Sequence, residues 1–598
     1  QTYWEYRSQQ ADSTQYNSEY KVQLTAIEDD HYRNTLGWND TEVADLEAKR
    51  TDDYHRLHTT YGALGDSVDG SFEYKIAENS DEWNGLTAGY SWTKPQLENS
   101  IGAGILKEVS DTELAIENAN IIANNIEITA NNGGIGYDNA ASPMVIKLDG
   151  RTFTQLTKAE QLAIAAAESN DYQIISDNEI HITDYDDVDV DATGLVTATA
   201  RDNIYLGSEQ TLVINEVSST NGDVRIKVGG GLYADSNSTA AIKANNVIVE
   251  AASNSIGHLV NSAGGETQLD SMLIDVAATG QLTARAGDSI HITEMTGNIN
   301  VESVYAVNDV NLSADGSILD ASDDDLLDIR SDNLVLNAGD SIGSATNALE
   351  IGLNANGTLN ATASSGGVYI KSPKRDINVA NIVANGDVSL TSGGSLAIAS
   401  ATGGIVSQLG TVTLDALGDI SDSDADDNNL LISAMNIIIN STAGAIGEEG
   451  NRLDIDTLSL AANEFSAATG ISVTEVMGDM AIAQAHSTDG VVSLVSVDGN
   501  IELGAASAGE QVSLIAKGSV LDANADAVNI DAKQVSIIAA SGAIGSDTDG
   551  IELAGSNTML TANTPGDIHL IQTEGVLSLD SVSSSQGNVA LIAKGSIE

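Results

Sequence analysis

Apolar and polar positions alternate with period two along most of this chain. Val512, Leu514 and Ala516 alternate with Ser513, Ile515 and Lys517, and Val310, Leu312 and Ala314 alternate with Asn311, Ser313 and Asp315. Successive side chains of a strand point to opposite faces, so this period predicts strands with one face in a core and one face out. Each run ends on Gly and Ser, where a turn needs positive φ or close backbone approach. The strand pattern runs from about residue 172 to the end, with an earlier strand-rich stretch near Asn118, where Ile121, Ile126 and Ile128 precede Ile135-Gly136.

The pattern also repeats. Val512-Ser-Leu-Ile-Ala-Lys-Gly-Ser-Val520 returns as Val589-Ala-Leu-Ile-Ala-Lys-Gly-Ser-Ile597, with looser copies beginning at Val224, Val310 and Val412. Anchored on Gly230, Gly316, Gly418, Gly518 and Gly595, the copies are unevenly spaced. A second marker, the Ile-Gly pairs ending at Gly257, Gly343, Gly447 and Gly545, trails the first at a nearly fixed distance. The intervals Gly230 to Gly257, Gly316 to Gly343 and Gly518 to Gly545 are equal, and Gly418 to Gly447 is only slightly longer. A constant local distance under a wandering overall period means that whole turns are inserted or dropped, as in a solenoid. The inner period appears as Val473, Leu494, Leu514 and Ile537, and again as Leu570 and Leu591. These steps of roughly 20 residues are the size of one solenoid coil. Such a coil suits three short strands and three turns, roughly 24 coils in all, with neighbouring strands about 4.8 Å apart. The predicted fold is an all-β solenoid, a parallel β-helix over residues 106–598.

Two helical departures are expected. Thr157-Lys-Ala-Glu160 is a capping-box pattern and predicts a helix near 157–169, inserted into the early coils. Residues 1–105 read as a small, α-containing, Trp/Tyr-rich domain with its own duplication. Glu19-Tyr20-Lys21 recurs as Glu73-Tyr74-Lys75, and Trp38 as Trp92, both displaced by the same interval. After each Trp a helix start follows, Asn39-Asp40-Thr41-Glu42 and Thr93-Lys94-Pro95. All four Trp and nine of sixteen Tyr fall in the first hundred residues, which marks a boundary by composition. These aromatics are read as the small core of a cap over the first coil, the alternative being exposed rings that stack on sugars.

Composition sharpens the functional question. The formal net charge is −62, a surface that repels nucleic acid and anionic lipid. With no Cys, disulfides, thiolate metal sites and cysteine catalysis are excluded. No run of roughly 18 apolar residues predicts a membrane-spanning helix. The chain begins at Gln1 and stops at Glu598 just after a repeat marker, which reads as a window of a longer protein.

Chemistry is sparse in the pattern. Acidic loops follow the marker strand at one place in the module: Asp320-Ala-Ser-Asp323-Asp324-Asp325, Asp422-Ser-Asp424-Ala-Asp426-Asp427 and Asp522-Ala-Asn-Ala-Asp526. Stacked on one edge, these ten Asp would offer hard oxygen ligands to Ca²⁺; the alternative is a solvated turn that keeps molecules apart. Asp187-Val-Asp-Val-Asp191 begins like an EF-hand loop, but Ala192 stands where Gly is needed and Ala198 where Glu is needed. Gly133-Gly-Ile-Gly-Tyr-Asp138 matches a Ca²⁺-binding nonapeptide in part, and reads better as a Gly-rich turn. His181 and His291 sit in similar strands on the outward face, and His55 and His58 lack an HExxH context. A polysaccharide hydrolase or lyase needs carboxylates converging on one face, often with Arg or Lys, and basic residues are thin in the repeats.

Gly587-Asn-Val-Ala-Leu-Ile-Ala-Lys-Gly-Ser-Ile597 and Gly386-Asp-Val-Ser-Leu-Thr-Ser-Gly-Gly-Ser-Leu396 resemble the repeats of filamentous-haemagglutinin-type large bacterial exoproteins over about 110–598. The resemblance implies a right-handed parallel β-helix on, or released from, a Gram-negative cell as an adhesin or fibre. The first hundred residues depart from that family's secretion domain. The expectation is a non-enzymatic, extracellular adhesin or fibre segment whose partners are other copies, neighbouring repeats or cell-surface glycans, with neither nucleic-acid binding nor membrane insertion. The rival expectations are a self-assembling filament subunit and a β-helix polysaccharide-degrading enzyme.

Overall fold

The computed structural model describes residues 119–598 except 139–143, 148–155, 157–171, 177–178, 183–184, 237, 262–266, 324–325, 400–402, 424–428 and 460–461. The Trp-rich segment 1–105 and the expected helix at 157–169 therefore lie outside the described residues, none of which is helical. The chain divides into two compact units, Gln1–Leu232 with Lys243–Ala252, and Tyr233–Ile242 with Ser253–Glu598.

In the first unit, strands Ile121–Ala123 and Ile126–Ala130 pair in parallel with Val188–Ala192 and Leu195–Ala200. Between Tyr137 and Asp186 the described residues make an excursion from the parallel ladders, which the chain re-enters one coil later. That excursion holds an antiparallel sheet of Met144–Lys147, Glu179–Ile182 and Tyr172–Ser176, and a second antiparallel pair, Tyr137–Asp138 with Tyr185–Asp186. Parallel coils resume at Val188, not near 172 as the alternation suggested, because period two reads the same in either strand direction. Further on, Ile204–Ser208, Val224–Val228 and Val247–Ala251 continue one parallel ladder.

In the second unit each coil contributes strands to two continuous parallel ladders. One column runs Ile290, Val310, Leu334, Leu359, with a coil length that varies from step to step. The column expected from spacing is present residue for residue: Val473 pairs with Leu494, Leu494 with Leu514, Leu514 with Ile537, and in the other ladder Leu570 with Leu591. The first four of these are fully buried. Strands such as Val310–Ala314 and Leu359–Ala363 alternate strictly between buried and half-exposed, as period two requires. The described residues hold about 18 solenoid turns, fewer than spacing implied. Corner insertions lengthen many coils, and the early excursion contributes none.

Three separate sides per coil are not the rule. A third side forms where a long strand bends across a corner. Ile299–Ala306 pairs through Ile299–Val301 with Ile318–Asp320 and through Val304–Tyr305 with Ile329–Ser331.

The corners are held by short polar side chains. Ser219, Ser407, Ser441, Ser487, Ser496 and Ser584 each accept the N–H of the glycine three residues later. Ser441 Oγ also donates to Gly418 O of the preceding coil at 2.8 Å, and Ser407 Oγ to Gly386 O at 2.8 Å. Asp carboxylates do the reciprocal job: Asp419 Oδ1 accepts Ala445 N, Asp479 Oδ1 accepts Asn500 N, and Asp567 Oδ1 accepts Asn588 N. Much of the acidity thus engages orphan N–H groups of the next coil, where a charged acceptor makes the stronger bond.

The two markers do different work. Gly136, Gly343, Gly447 and Gly545 of the Ile-Gly pairs all have positive φ, between 62° and 72°, a conformation that side chains disfavour. Gly257 is the exception, lying inside the strand Ile256–Asn261, which pairs antiparallel with Thr267–Asp270.

Candidate functional site

The acidic segments sit at the bends. Ile501–Ala508 is one strand in its coil, but in the next coil its two halves face separate short strands, Val520–Asp522 and Ile530–Asp531. Residues 523–529 are the excess that bulges between them. The same construction places residues 321–328 between Ile318–Asp320 and Ile329–Ser331. Residues 423–431 lie between Ile420–Asp422 and Ile432–Ala434, but there the split is inherited: the preceding coil is already divided into Leu396–Ile398 and Gly404–Ser407. Most described residues of these turns are exposed or half-buried, so Asp, Ala and Ser are tolerated there, while the last residue of each, Asp328, Leu431 and Asn529, is buried.

The turns do not stack on one edge. Ile318–Asp320 and Val520–Asp522 belong to one ladder and Ile420–Asp422 to the other. Successive marker strands explain this. From Val310 the ladder passes Leu334, Leu359 and the strand Ile377–Ala384 to Leu396, four coils, and Val412 follows on the other ladder. The module between these two markers is therefore a half-integral number of coils.

Of the expected ligands, Asp320, Asp323, Asp422, Asp522 and Asp526 are described; Asp324, Asp325, Asp424, Asp426 and Asp427 lie outside the described residues. The structure brings the described ones to partners that the acidic runs alone do not reveal. Carboxylate oxygens of Asp320, Asp328 and Glu350 lie within 4.8 Å of one another. Asp328 and Glu350 are both buried, and Glu350 N donates to Asp328 Oδ2 at 2.7 Å. Burial first, and then the adjacent Asp320 charge, push the Asp328 carboxyl up to about 10. Lys371, one coil on and in register with Glu350, brings its Nζ to 3.7 Å from Glu350 Oε1. A shared proton and an ammonium thus offset the charge of this trio.

The turn at Asp522 is built alike with different residues. Asn529 stands in the place of Asp328: its N–H donates to Glu552 O, its Oδ1 accepts Glu552 N at 2.8 Å, and its Nδ2 donates to Asp522 Oδ1 at 2.6 Å. Glu552 is in register with Ile571, not with a lysine. Burial, and then Asp522, raise Glu552 to about 7, with Asp549 and Asp526 adding to the repulsion. Asp549, which shares a hydrogen with Asp522, is also raised.

A signal for these partners exists in the sequence. Glu350, Asp454 and Glu552 each stand at the same offset after the Gly of an Ile-Gly pair, flanked by aliphatics: Leu349 and Ile351, Leu453 and Ile455, Ile551 and Leu553. All three acids are buried. An acid at a fixed offset inside an apolar triplet is the pattern to seek.

Elsewhere the carboxylates serve the backbone. Glu475 is fully buried; its Oε1 accepts Thr457 N at 3.0 Å and its Oε2 accepts Thr457 Oγ1 at 2.9 Å. Glu294 Oε2 likewise accepts Val276 N at 2.9 Å. Asp187, the start of the failed EF-hand match, is buried 4.0 Å from Arg225 Nη1. In the Gly-rich turn at 133–136, Ile135 bridges in parallel to Ile204. His291 faces outward, in register with Asn311, and burial lowers its affinity for a proton. A more exposed grouping, Asp547, Asp567 and His569, places His569 Nε2 2.6 Å from Asp547 Oδ1. Comparison with protein families, curated proteins and solved structures gives no match to this chain.

Proposed function

We propose that this chain is a non-enzymatic structural or adhesive segment, displayed outside a bacterial cell as part of a fibre. The observation that carries this reading is the regular stacking of coils with aliphatic columns inside and short polar side chains outside. Such a fold propagates length at nearly constant cost per coil, because each coil buries its core against its neighbours. Among the described residues of the second unit, the acidic insertions are distributed over both ladders, whereas an enzyme gathers loops and acids over one groove. The filament reading differs only in self-association, and the net charge of −62 opposes lateral packing of identical chains.

The test is a pair of assays on the same chain. Binding to immobilised cell-surface glycans or to whole cells is expected without turnover of any polysaccharide in a broad panel. Cleavage abolished by Asp328→Asn or Glu350→Gln would overturn the proposal in favour of an enzyme. Sedimentation at rising concentration is expected to show a single species at physiological salt; growth into polymers would favour the filament.

A further inference from the structure

We infer that Asp547, Asp567 and His569 form a binding site for a divalent transition-metal ion on the outer surface of the second unit, one that takes Zn²⁺ and not Ca²⁺. The fold delivers each ligand on backbone that is already fixed. Asp567 and His569 flank the fully buried Ile568 at the start of the strand Ile568–Gln572, so both side chains leave the same outward face. Ile544 brackets that segment from the preceding coil: its N–H donates to Asp567 O at 2.9 Å, and its O accepts His569 N at 2.8 Å. Gly545 follows with φ of 65° and turns the chain. The next turn closes on itself, Ser546 N donating to Asp549 O at 2.7 Å and Ser546 Oγ accepting Asp549 N at 3.0 Å, and it carries Asp547 to His569. Ligand atoms of the three residues all lie within 4.8 Å of one another. Donors of one tetrahedral ion, each about 2.1 Å from it, are roughly 3.4 Å apart. That separation falls between the 2.6 Å His569–Asp547 contact and the 4.8 Å that encloses the trio. The Asp547 side chain is 84 % exposed and has room to open the shorter contact.

Two details point to an ion and not to a simple ion pair. His569 Nε2 is closed to solvent and makes no hydrogen bond among the described residues, although Asp547 Oδ1 is so near. Close approach off the line of a hydrogen bond is what two ligands of one ion show, since each directs its lone pair at the metal and not at the other. On Asp567, Asn588 N donates to Oδ1 at 2.6 Å and Asn588 Nδ2 to the same atom at 3.3 Å, which orients the carboxylate and keeps Oδ2 for a further partner. The turn at Gly343 shows that the backbone does not need these groups. There Ser344 N donates to Asn347 O, Ser344 Oγ accepts Asn347 N, and Ile342 brackets Val368 through Gly367 O and Tyr369 N. Ala345, Gly367 and Tyr369 hold the places of Asp547, Asp567 and His569. One backbone thus forms with and without the trio, and the three ligands converge at Gly545 and not at Gly343. An imidazole nitrogen with two carboxylates is a donor set for Zn²⁺ and its transition-metal neighbours, whereas Ca²⁺ and Mg²⁺ take oxygen alone. The ion fastens the turn after Gly545 to the next coil, and its binding stabilises the folded chain by mass action. This site is independent of the adhesive or fibrous role proposed above.

The test uses the full chain with ZnCl2 as the probe, in excess Ca²⁺ at physiological ionic strength, because so acidic a surface gathers divalent ions loosely everywhere. Zn²⁺ is followed by equilibrium dialysis, and the melting temperature by circular dichroism. His569→Tyr and Asp547→Ala each install the residue that the Gly343 turn carries at that place, so both suit a backbone that turn already forms. Each variant is expected to hold the tightest Zn²⁺ at least about 10–100-fold more weakly, and to lose most of the Zn²⁺-dependent rise in melting temperature. His486→Gln removes a different strand imidazole, one whose Nδ1 meets Ser507 Oγ at 2.7 Å, and is expected to bind Zn²⁺ as the native chain does. Asp567→Asn, which keeps the shape of the side chain, decides the matter if either cluster variant does not fold. Zn²⁺ binding and melting of the cluster variants indistinguishable from those of His486→Gln would overturn the site, leaving His569 and Asp547 as an ion pair. Loss in His569→Tyr with none in Asp547→Ala would overturn it too, since an imidazole alone and not the trio would then hold the ion.

Discussion

Single polar side chains decide whether a corner closes. Ser441 is 1 % exposed and bonds both the turn that follows it and the coil before it. Ser441→Ala would leave the buried Gly444 N and the half-buried Gly418 O without that partner. The expected loss is about 1–3 kcal/mol, measurable by urea unfolding, whereas an outward serine such as Ser513 should tolerate alanine. Glu475 makes a second case, through pH. Burial outweighs its two bonds from Thr457 and lifts its carboxyl to about 8 from an ordinary 4.5. The folded chain therefore binds this proton more tightly than the unfolded chain does. Its stabilising contribution is complete below about 4.5 and is lost as pH rises through about 8. Glu475→Gln should flatten that part of the stability profile, and a variant as pH-sensitive as the native chain would rule the assignment out.

For the strands and turns, stability resides in columns. Leu514 is fully buried between Leu494 and Ile537. Leu514→Ala removes the middle of that column, at a cost of about 2–5 kcal/mol. Because coils touch only their neighbours, hydrogen exchange should quicken in the adjoining strands Val492–Ser496 and Gln534–Ala539 and not in Val310–Ala314. Uniform quickening along the unit would mean that coils are coupled more widely than nearest-neighbour stacking allows. Turn geometry is the other constraint on these elements. Gly447 has φ of 63°, and a Cβ there would run into Ser472 O of the next coil. Alanine at this position meets strain and collision together, and should destabilise by more than the ~1 kcal/mol of an ordinary glycine replacement.

For the whole molecule, charge sets the response to solvent. Coils about 4.8 Å apart bring acids in successive turns well within a Debye length of about 10 Å at 0.1 M salt. With a net charge of −62, the melting temperature should rise as monovalent salt is added, before any specific ion is supplied. A fall would show that the carboxylate–N–H bonds between coils, such as Asp419 to Ala445, outweigh the mutual repulsion.

Strand period, inward columns and coil step are already written in the order of the residues. A column of identical environments needs like residues at near-constant spacing, so Val473, Leu494, Leu514 and Ile537 declare one another without any tertiary knowledge. The left-handed glycines are marked too, since positive φ leaves so few alternatives at Gly343, Gly447 and Gly545. The Ser-x-x-Gly corners are equally open to reading, being local bonds at fixed offset. Accumulated phase, by contrast, is settled only in three dimensions. Whether a module makes a whole or a half-integral number of coils is the sum of many small insertions, and it sets which ladder an acidic turn follows. The same sum sets what lies above each carboxylate. Glu350 meets Lys371 and Glu552 meets Ile571, although the local sequences around the two acids are alike, because the partner comes from the next coil and not from neighbouring sequence.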